Sequence, residues 1–440
     1  MTAEIAVMNK LAVALATDSA VTISEAGSQE KIFDSADKLF ELSDHDPIGI
    51  MIYNTMDFMG IPLAVLVKDY RRQCASHVSV RAAAGAFLLH LQEQGRSAPE
   101  LMRRQALEMA VEYLVRQLRE AVDNWIMDRI RNGDFPENVG AAIEAHALEV
   151  VRTHRARLDE MNDAPILDGD LPGERLDPEA RAVLDQLTLR HFEDASLELR
   201  EELRGFLQAF VQKEVLSPTR TGIVIAGFGS EEKFPSLIWY ETDGVLGGHL
   251  KFREATFVDI DRSGQRAAVL PFAQQDMVER FLFGLDAQIE QDVLAFCGMA
   301  IPEIANSLLD EANVAGDDRV KLDAQARTAE KTFLDQLTTS AFNKIRQSAR
   351  TEIEGMIEFM PKPEMAKMAE ALIDLTSIKR RVSRGMETVG GPVDVAVISR
   401  AEGFVWVKRK HYFPTELNAR YAARVQAKAQ ARETGDAANG

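Results

Sequence analysis

The chain has 440 residues, of which 46% are hydrophobic and 27% are charged, and its formal net charge is −18. This composition is typical of a globular protein with one large domain or two average ones. The acidic balance argues against a protein that binds nucleic acid or an anionic membrane, because both functions need a basic surface.

The cysteines and the N-terminal residues bear on the cellular compartment. Cys74 and Cys297 lie far apart in the sequence and fit neither a disulfide framework nor a metal site, which favours a reducing environment. The first residues lack the pattern of a signal peptide, and no uninterrupted apolar run reaches the roughly 18 residues of a membrane span. We therefore expect a cytoplasmic protein without a membrane segment.

The N-terminal part of the chain predicts short strands. Residues 3–9 and 11–16 are apolar or β-prone, and the polar pair Asn9-Lys10 between them predicts a hairpin. The segments KLFELS and IGIMIYN predict a second pair of strands, separated by the turn-forming DHDP.

Helical periodicity begins at Ile61 and dominates to about residue 213. Within this region a helix is predicted to start near Ser97, with Ser97 as its cap, Pro99 in its first turn and Glu100 at the capping-box position. The acidic segment NDAPILDGDLPGERLDPE lacks the ligand spacing of a calcium loop and predicts a solvated loop.

Strand character returns in TGIVIAGFG, SLIWYETDG and ATFVDID, and a second largely helical region runs from Phe272 to about Arg384. A last hairpin is predicted, with arms Val393–Ser399 and Gly403–Lys408 joined by RAEG. The tail, Leu417–Gly440, predicts a helix that frays. Because strands and helices do not alternate regularly, an α+β fold of two antiparallel sheets covered by helices fits better than a doubly wound parallel fold.

Four of these segments together resemble a known family. TAEIAVMNKLAVALATDSAVT, ADKLFELS, TGIVIAGFG and GGPVDVAVISRAEGFV are similar, in that order, to the proteasome β-subunit-like family of N-terminal nucleophile (Ntn) hydrolases. The spacing of sixteen residues from Thr2 to Asp18 matches the family's. The family lysine falls on Lys38, and Gly390, Gly391 and Asp394 occupy its late hairpin motif.

The resemblance implies a four-layer αββα Ntn-hydrolase sandwich, two antiparallel sheets between helices, with large helical insertions. The implied boundaries are 2–95 for the first half of the Ntn core, 97–215 for a helical insertion, 220–290 for the continued core, 290–360 for a second helical insertion, 360–412 for the end of the core and 413–440 for a helical or disordered tail.

The resemblance also implies a catalytic group. Thr2 would be the nucleophile once Met1 is removed, because the free α-amino group can then take the hydroxyl proton, and its usual pKa of about 7.7–8.0 leaves a neutral fraction near pH 7. Lys38 would favour the alkoxide, and Asp18 would hold Lys38 charged and oriented. Taken singly, Thr2 is an ordinary second residue, Asp18 a turn residue, and Lys38 a solvated lysine or the ion-pair partner of Asp37 or Glu41.

Supporting positions depart from the family pattern. Active members carry a glycine whose backbone N–H forms the oxyanion hole, and the nearest candidates here are Tyr53 and Asn54. Glu387 and Thr388 stand, each shifted by about one position, for the acid and hydroxyl that precede the Gly-Gly pair. No hydroxyl is present from Pro271 to Gln274, where a supporting serine is sought.

The sequence thus predicts a proteasome-like threonine hydrolase that cleaves amide bonds in peptides, without a metal or other cofactor. We expect it to form a homo-oligomer, such as a ring, and to bind neither nucleic acid nor membrane; any ATPase partner is unknown. Two alternatives stay open: a catalytically silent scaffold whose insertions bind a partner, and an Ntn amidase that acts on a small molecule.

Other motifs have ordinary interpretations. GFGSEE is not a complete phosphate loop, and Gly247-Gly248-His249 predicts a turn with a lone histidine. The run Lys408-Arg409-Lys410, in so acidic a chain, predicts a solvated strand end rather than a nucleic-acid site.

Overall fold

The computed structural model describes residues 2–23, 31–134, 137–167, 178–192, 195–260, 264–382, 389–411, 413–414, 417–420 and 423. The strands are β1 (Ala3–Asn9), β2 (Ala12–Thr17), β3 (Val21–Ile23), β4 (Lys31–Phe33), β5 (Leu39–Glu41), β6 (Ile48–Tyr53), β7 (Asp57–Phe58), β8 (Ile61–Pro62), β9 (Thr221–Gly227), β10 (Ser236–Leu246), β11 (His249–Asp259), β12 (Ala267–Ala273), β13 (Asp394–Ser399) and β14 (Gly403–Lys408).

Helices follow β8 and β12 in two blocks. They are α1 (Leu63–Gln73), α2 (Val80–Arg96), α3 (Glu100–Asn132), α4 (Val139–Asp159), α5 (Pro178–His191), α6 (Leu197–Gln212), α7 (Asp276–Phe283), α8 (Ala287–Glu311), α9 (Asp317–Gln336), α10 (Asn343–Ile357) and α11 (Lys362–Val382). A π-helical segment, Leu337–Phe342, joins α9 to α10.

Two five-stranded sheets form the centre of the fold. The first has the order β12-β1-β2-β13-β14 and the second the order β11-β10-β9-β6-β5, and every neighbouring pair is antiparallel. The α+β class with two antiparallel sheets, expected from the sequence, is therefore confirmed.

Alternation along the strands gives each sheet an inner and an outer face. In β1, Ala6 and Met8 share one buried cluster with Met51 and Val224 of the second sheet, so this cluster fills the space between the sheets. Ala3, Ile5 and Val7 of β1 belong instead to a cluster with α7, α10 and α11 on the outer face of the first sheet. Because the even-numbered residues of β1 face the second sheet, the side chain of Glu4 points toward that sheet as well.

Helices cover the outer face of the second sheet as well. Ile50 and Ile52 of β6 pack in one cluster with Leu66 of α1 and with Phe87 and Leu91 of α2. Each sheet thus has helices on the face turned away from the other sheet.

The long helices α3 to α6 pack around a separate core that includes Leu107, Val151, Leu184 and Phe210. By contrast, α8 and α9 have no buried side chains, and α8 exposes large apolar residues such as Phe296. Within the described part of the chain, α8 is also the one helix whose length and composition would allow it to cross a membrane. The domain boundaries inferred from the sequence stay predictions.

Several local expectations differ from the structure. Ser97 ends α2 as its C-cap, and α3 begins after Pro99 without a side-chain cap, so the predicted capping by Ser97 is wrong. The strand β12 occupies residues where helix was expected to begin at Phe272, and the helix starts at Asp276. The final hairpin is confirmed as β13 and β14, whereas most of the tail lies outside the described residues.

Candidate active site

Three sequence-predicted residues come together where the inner faces of the two sheets meet. Thr2 immediately precedes β1, and Asp18 follows β2 and donates its backbone N–H to the Ala3 carbonyl (3.1 Å). Lys38 precedes β5 in the opposite sheet, where its carbonyl accepts the N–H of Ile52 (2.9 Å). Thr2 is 4% exposed, and Asp18 and Lys38 are fully buried.

The Lys38 side chain has three acceptors. Its Nζ donates to Thr2 Oγ1 at 3.0 Å, to Asp18 Oδ1 at 2.7 Å and to the Ala20 carbonyl at 2.6 Å. An ammonium has three N–H donors and no acceptor site, so these contacts match the protonated form. The Thr2 oxygen consequently receives a charge-assisted hydrogen bond from a buried cation.

Asp18 is held by the backbone as well as by Lys38. Its Oδ1 accepts the N–H of Ala3 (3.2 Å), and its Oδ2 accepts those of Ala20 (3.3 Å) and Gly390 (3.1 Å). With Lys38, four donors converge on one carboxylate, so the Asp18 side chain is held in place without solvent.

Two opposing effects act on the Lys38 ammonium. Burial lowers the pKa of Lys38 below the usual lysine value, while the Asp18 charge and hydrogen bond raise it. The net direction is downward, which means that the site weakens the cation. Asp18 Oδ1 and the Ala20 carbonyl can only accept, and the adjacent Asp18 charge favours the ammonium, whose third N–H then donates to the Thr2 hydroxyl.

Glu4 is a third ionisable side chain at the site, beside Asp18 and Lys38. It is fully buried, and neither of its carboxyl oxygens has a hydrogen-bond partner within the described ranges. The Thr17 hydroxyl, opposite Glu4 in the β1–β2 register, donates to the Asp18 carbonyl. Burial raises the pKa of Glu4 well above its usual range; the Lys38 charge and the nearby Thr17 hydroxyl offset this only in part, and the Asp18 charge adds to it. Glu4 is therefore expected to be neutral.

Tyr53 and Asn54 lie at the end of β6. The Tyr53 ring lies over Gly222 of β9, where an added Cβ would stand 1.9 Å from the ring, and Tyr53 is 2% exposed. The ring packs in the core between the sheets. Asn54 is exposed and has a left-handed backbone (φ 66°), a conformation that usually favours glycine.

The late Gly-Gly pair closes the site behind Asp18. Besides donating to Asp18, Gly390 accepts the N–H of Ser19 (3.1 Å). Gly391 has φ 75°, and a Cβ there would stand 2.7 Å from the Asp34 backbone oxygen, so a glycine is required. Glu387 and Thr388 lie outside the described residues.

Asp394 is buried beside Lys410 rather than at the Thr2 hydroxyl. Its Oδ1 accepts the Lys410 backbone N–H (2.8 Å), and its Oδ2 accepts the Lys410 ammonium. In the β2–β13 register Asp394 lies opposite Thr17, next to the strand end that carries Asp18. It therefore anchors the strand that supports the site.

Two polar residues near the site were not singled out from the sequence. Ser19 donates its hydroxyl to the Pro392 carbonyl (2.5 Å) and so ties the end of β2 to the Gly-Gly segment. Glu4 could have been found from the sequence, because it is the charged residue of β1 and lies at an inward position of that strand.

A cavity of about 300 Å³ lies elsewhere, between α3, the β7–β8 hairpin and β10. Its lining includes Thr55, Ser217 and Asp243 but not Thr2. Next to it, Lys251 is buried with its Nζ 3.8 Å from Asp243 Oδ2 and donates to the Phe210 carbonyl (2.5 Å). This second ionic cluster is separate from the Thr2 site.

Comparison with known proteins finds only weak similarity. No family model matches the chain, and no curated protein matches it. Among solved structures, it is similar to an Anbu (Gly-1) mutant from Hyphomicrobium sp. strain MC1, at 11% identity over 98% of this chain and 97% of that one, with a TM-score of 0.27. It is also similar to Anbu (ancestral beta-subunit) from Yersinia bercovieri, at 11% identity over 97% of each chain, with a TM-score of 0.25. Similarity at these TM-scores and identities supports no conclusion about the fold or the activity of this chain.

Proposed function

We propose that this chain is a proteasome-like Ntn hydrolase that cleaves amide bonds in peptides, with Thr2 as its nucleophile after Met1 is removed. The observation that carries the proposal is the contact of one buried Lys38 ammonium with both Thr2 Oγ1 (3.0 Å) and Asp18 Oδ1 (2.7 Å). Under this proposal, the two sheets and their helical coverings are the αββα core of that family.

The hydrogen bonding of Lys38 supports a particular division of roles. An ammonium whose three donors are already engaged has no lone pair and does not act as a base. Its charge lowers the pKa of a neighbouring hydroxyl by favouring the alkoxide. The base must therefore be another group, and the α-amino group of a mature Thr2 is attached to the nucleophilic residue itself.

The proposed reaction proceeds in two steps. The Thr2 oxygen forms a bond to the substrate carbonyl carbon while its proton passes to the α-amino group, and the carbonyl π electrons move to oxygen. Collapse of this tetrahedral adduct breaks the C–N bond, and the leaving amine takes the proton from the α-ammonium. Water then attacks the acyl ester by the same route and releases Thr2.

One observation favours a second candidate, the catalytically silent scaffold. Thr2 is only 4% exposed, so a substrate reaches its hydroxyl only if the surroundings of Thr2 rearrange. The unburied helices α8 and α9 offer surface for self-association in either case, and we propose that the active form is a homo-oligomer.

Intact-mass spectrometry before and after treatment with a peptide epoxyketone tests the proposal, because this reagent reacts with the hydroxyl and the amine of an N-terminal threonine together. Loss of Met1 and a single adduct that is absent in Thr2→Ala are expected. Thr2→Ser is the matched control, since it keeps a hydroxyl and should still be labelled.

Retention of Met1, or loss of Met1 without an adduct, would contradict the hydrolase and favour the scaffold. An adduct that persists in Thr2→Ala would place the reactive nucleophile elsewhere. If the adduct forms but peptides are not cleaved, small amides become the substrates to examine.

A further inference from the structure

The segment Tyr53–Asn54 ends β6 in a conformation that needs external support. Asn54 has a left-handed backbone, which costs a non-glycine residue free energy and persists only where surrounding contacts fix it. Ile52, the residue before Tyr53, donates its N–H to the carbonyl of Lys38. The strained turn therefore lies two residues beyond the strand contact that holds the Lys38 backbone.

Side chains fix this turn from one direction. The Asn54 Nδ2 donates to the carbonyl of Arg220 (3.2 Å), and the Thr55 hydroxyl donates to that of Thr219 (2.8 Å). Both acceptors belong to the segment that leads into β9. The backbone position of Arg220 thus controls the position of Asn54.

Tyr53 fixes the turn from the other direction. Its ring fills the space over Gly222, and its hydroxyl accepts the Trp239 Nε1–H (2.7 Å) and donates to Glu241 Oε1 (3.3 Å). Ring and hydroxyl together leave Tyr53 little freedom to rotate.

Glu241 joins the two supports. It is 2% exposed, and its carboxylate accepts from Arg220 Nε (2.7 Å), from the Arg253 guanidinium and from the Tyr53 hydroxyl. Burial opposes ionisation of Glu241, but hydrogen bonds and charge from the two arginines outweigh it and lower the pKa. A single buried carboxylate therefore links the Tyr53 side chain to the residue whose carbonyl anchors Asn54.

We propose that Glu241 is a positioning residue that fixes the Tyr53–Asn54 backbone so that an N–H of this turn stabilises the oxyanion formed when Thr2 attacks a carbonyl. The inference rests on the proposed function. In the adduct, the oxygen that receives the carbonyl electrons carries a negative charge, and a pre-positioned N–H stabilises that charge more than the neutral carbonyl. Glu241 acts through the turn and does not contact the substrate.

Two ligands separate this role from a general structural one. The tripeptide aldehyde N-acetyl-leucyl-leucyl-norleucinal forms a hemiacetal with a nucleophilic hydroxyl, and the adduct oxygen needs the N–H donor. The alcohol made by reducing that aldehyde has the same side chains but forms no adduct. Inhibition constants for both are measured on the mature full-length protein by competition with epoxyketone labelling of Thr2.

Glu241→Gln is nearly isosteric and removes only the charge that holds the arginines. We expect its inhibition constant for the aldehyde to rise by about 10- to 100-fold, somewhat below the effect of deleting an oxyanion donor outright. Binding of the alcohol should stay within about twofold. Tyr53→Phe keeps the ring over Gly222 and removes the hydroxyl link, so a smaller change in the same direction is expected even if Glu241→Gln does not fold.

If binding of the aldehyde and binding of the alcohol are weakened equally in both variants, the positioning role is overturned and Glu241 is a structural residue. Unchanged aldehyde binding in both variants would overturn it as well. A wild-type protein that the epoxyketone does not label would instead contradict the proposed function, and the inference would fail with it.

Discussion

Lys38 Nζ lies 2.7 Å from Asp18 Oδ1, and neither side chain has any exposed surface. Removing one partner of a buried ion pair leaves the other charge without compensation, which typically costs about 3–5 kcal/mol. We therefore expect Asp18→Asn to lower the free energy of unfolding by about that amount, as measured by urea denaturation.

Two variants serve as controls for this pair. Asp69→Asn makes the same chemical change in a solvent-exposed pair with Arg72 and should change stability by less than about 1 kcal/mol. The double variant Asp18→Asn/Lys38→Met removes both charges and should be more stable than Asp18→Asn alone while remaining unreactive toward the epoxyketone. Additive losses in the double variant would show that the pair is not coupled.

Glu4 should give stability a dependence on pH. Because burial raises its pKa in the folded chain, the folded state binds more protons than the unfolded state once the pH exceeds the usual glutamate value of about 4.3. The contribution of Glu4 to the free energy of unfolding is thus fully present below about pH 4.3 and is lost as the pH rises toward the pKa of Glu4 in the folded state.

Glu4→Gln removes this titration. The stability of the variant relative to the wild type should increase with pH above about 4.3, by up to about 1.4 kcal/mol per pH unit. Urea denaturation at a series of pH values measures the difference. Parallel curves for the two proteins would mean that Glu4 is ionised in the folded state and has a partner.

Lys251 should make the stability of the fold rise with pH at higher pH, which is the opposite of the effect of Glu4. Burial lowers the pKa of Lys251 to about 7, although the nearby Asp243 opposes the shift. Between about 7 and the usual lysine value of about 10.4, the unfolded chain binds the extra proton, so stability rises with pH across this window.

Lys251→Met should flatten that rise by about 1.4 kcal/mol per pH unit. The exposed Lys68 provides a matched control, and Lys68→Met is expected to leave the slope unchanged. If both methionine variants retain the wild-type slope, Lys251 is protonated throughout the window.

Gly222 is expected to be intolerant of a side chain. A Cβ at this position would stand 1.9 Å from the Tyr53 ring, and overpacking of this kind typically costs about 1–3 kcal/mol. Gly222→Ala should therefore lower the melting temperature, and Tyr53→Leu should restore part of the loss by vacating the space.

Gly85 provides the contrasting substitution. It lies inside α2 with open space around its Cα, so Gly85→Ala should stabilise the protein by about 0.5–1 kcal/mol through helix propensity. A destabilised Gly85→Ala, or a neutral Gly222→Ala, would show that these glycines do not have the environments described.

The strands with strong alternation could be predicted from the sequence, and β12 could not. The N-terminal hairpin and the final hairpin are local, with turns that the residues themselves indicate. In β12, Pro271 counts against a strand, yet it is tolerated because β12 is the edge strand of its sheet, where among the described strands it pairs with β1 alone. The edge position is a property of the whole sheet.

The residues of the candidate site also divide into those that could be predicted from the sequence and those that could not. The grouping of Thr2, Asp18 and Lys38 was expected from a resemblance based on spacing and motif order. The support of Tyr53 by Gly222 and Glu241 depends on contacts across more than 160 positions of the chain, which no local pattern reports. Ser97 was misassigned because a cap residue at the end of one helix resembles the start of the next.

The strand that carries Thr2 has neighbours from distant parts of the chain. β1 lies between β2 and β12, β2 pairs in turn with β13, and Asp18 accepts a hydrogen bond from Gly390. During synthesis, the β1–β2 hairpin is made before β12 and β13 and cannot reach this environment until residues near 398 have left the ribosome. The order of translation therefore keeps the nucleophile unassembled while the nascent chain is still being made.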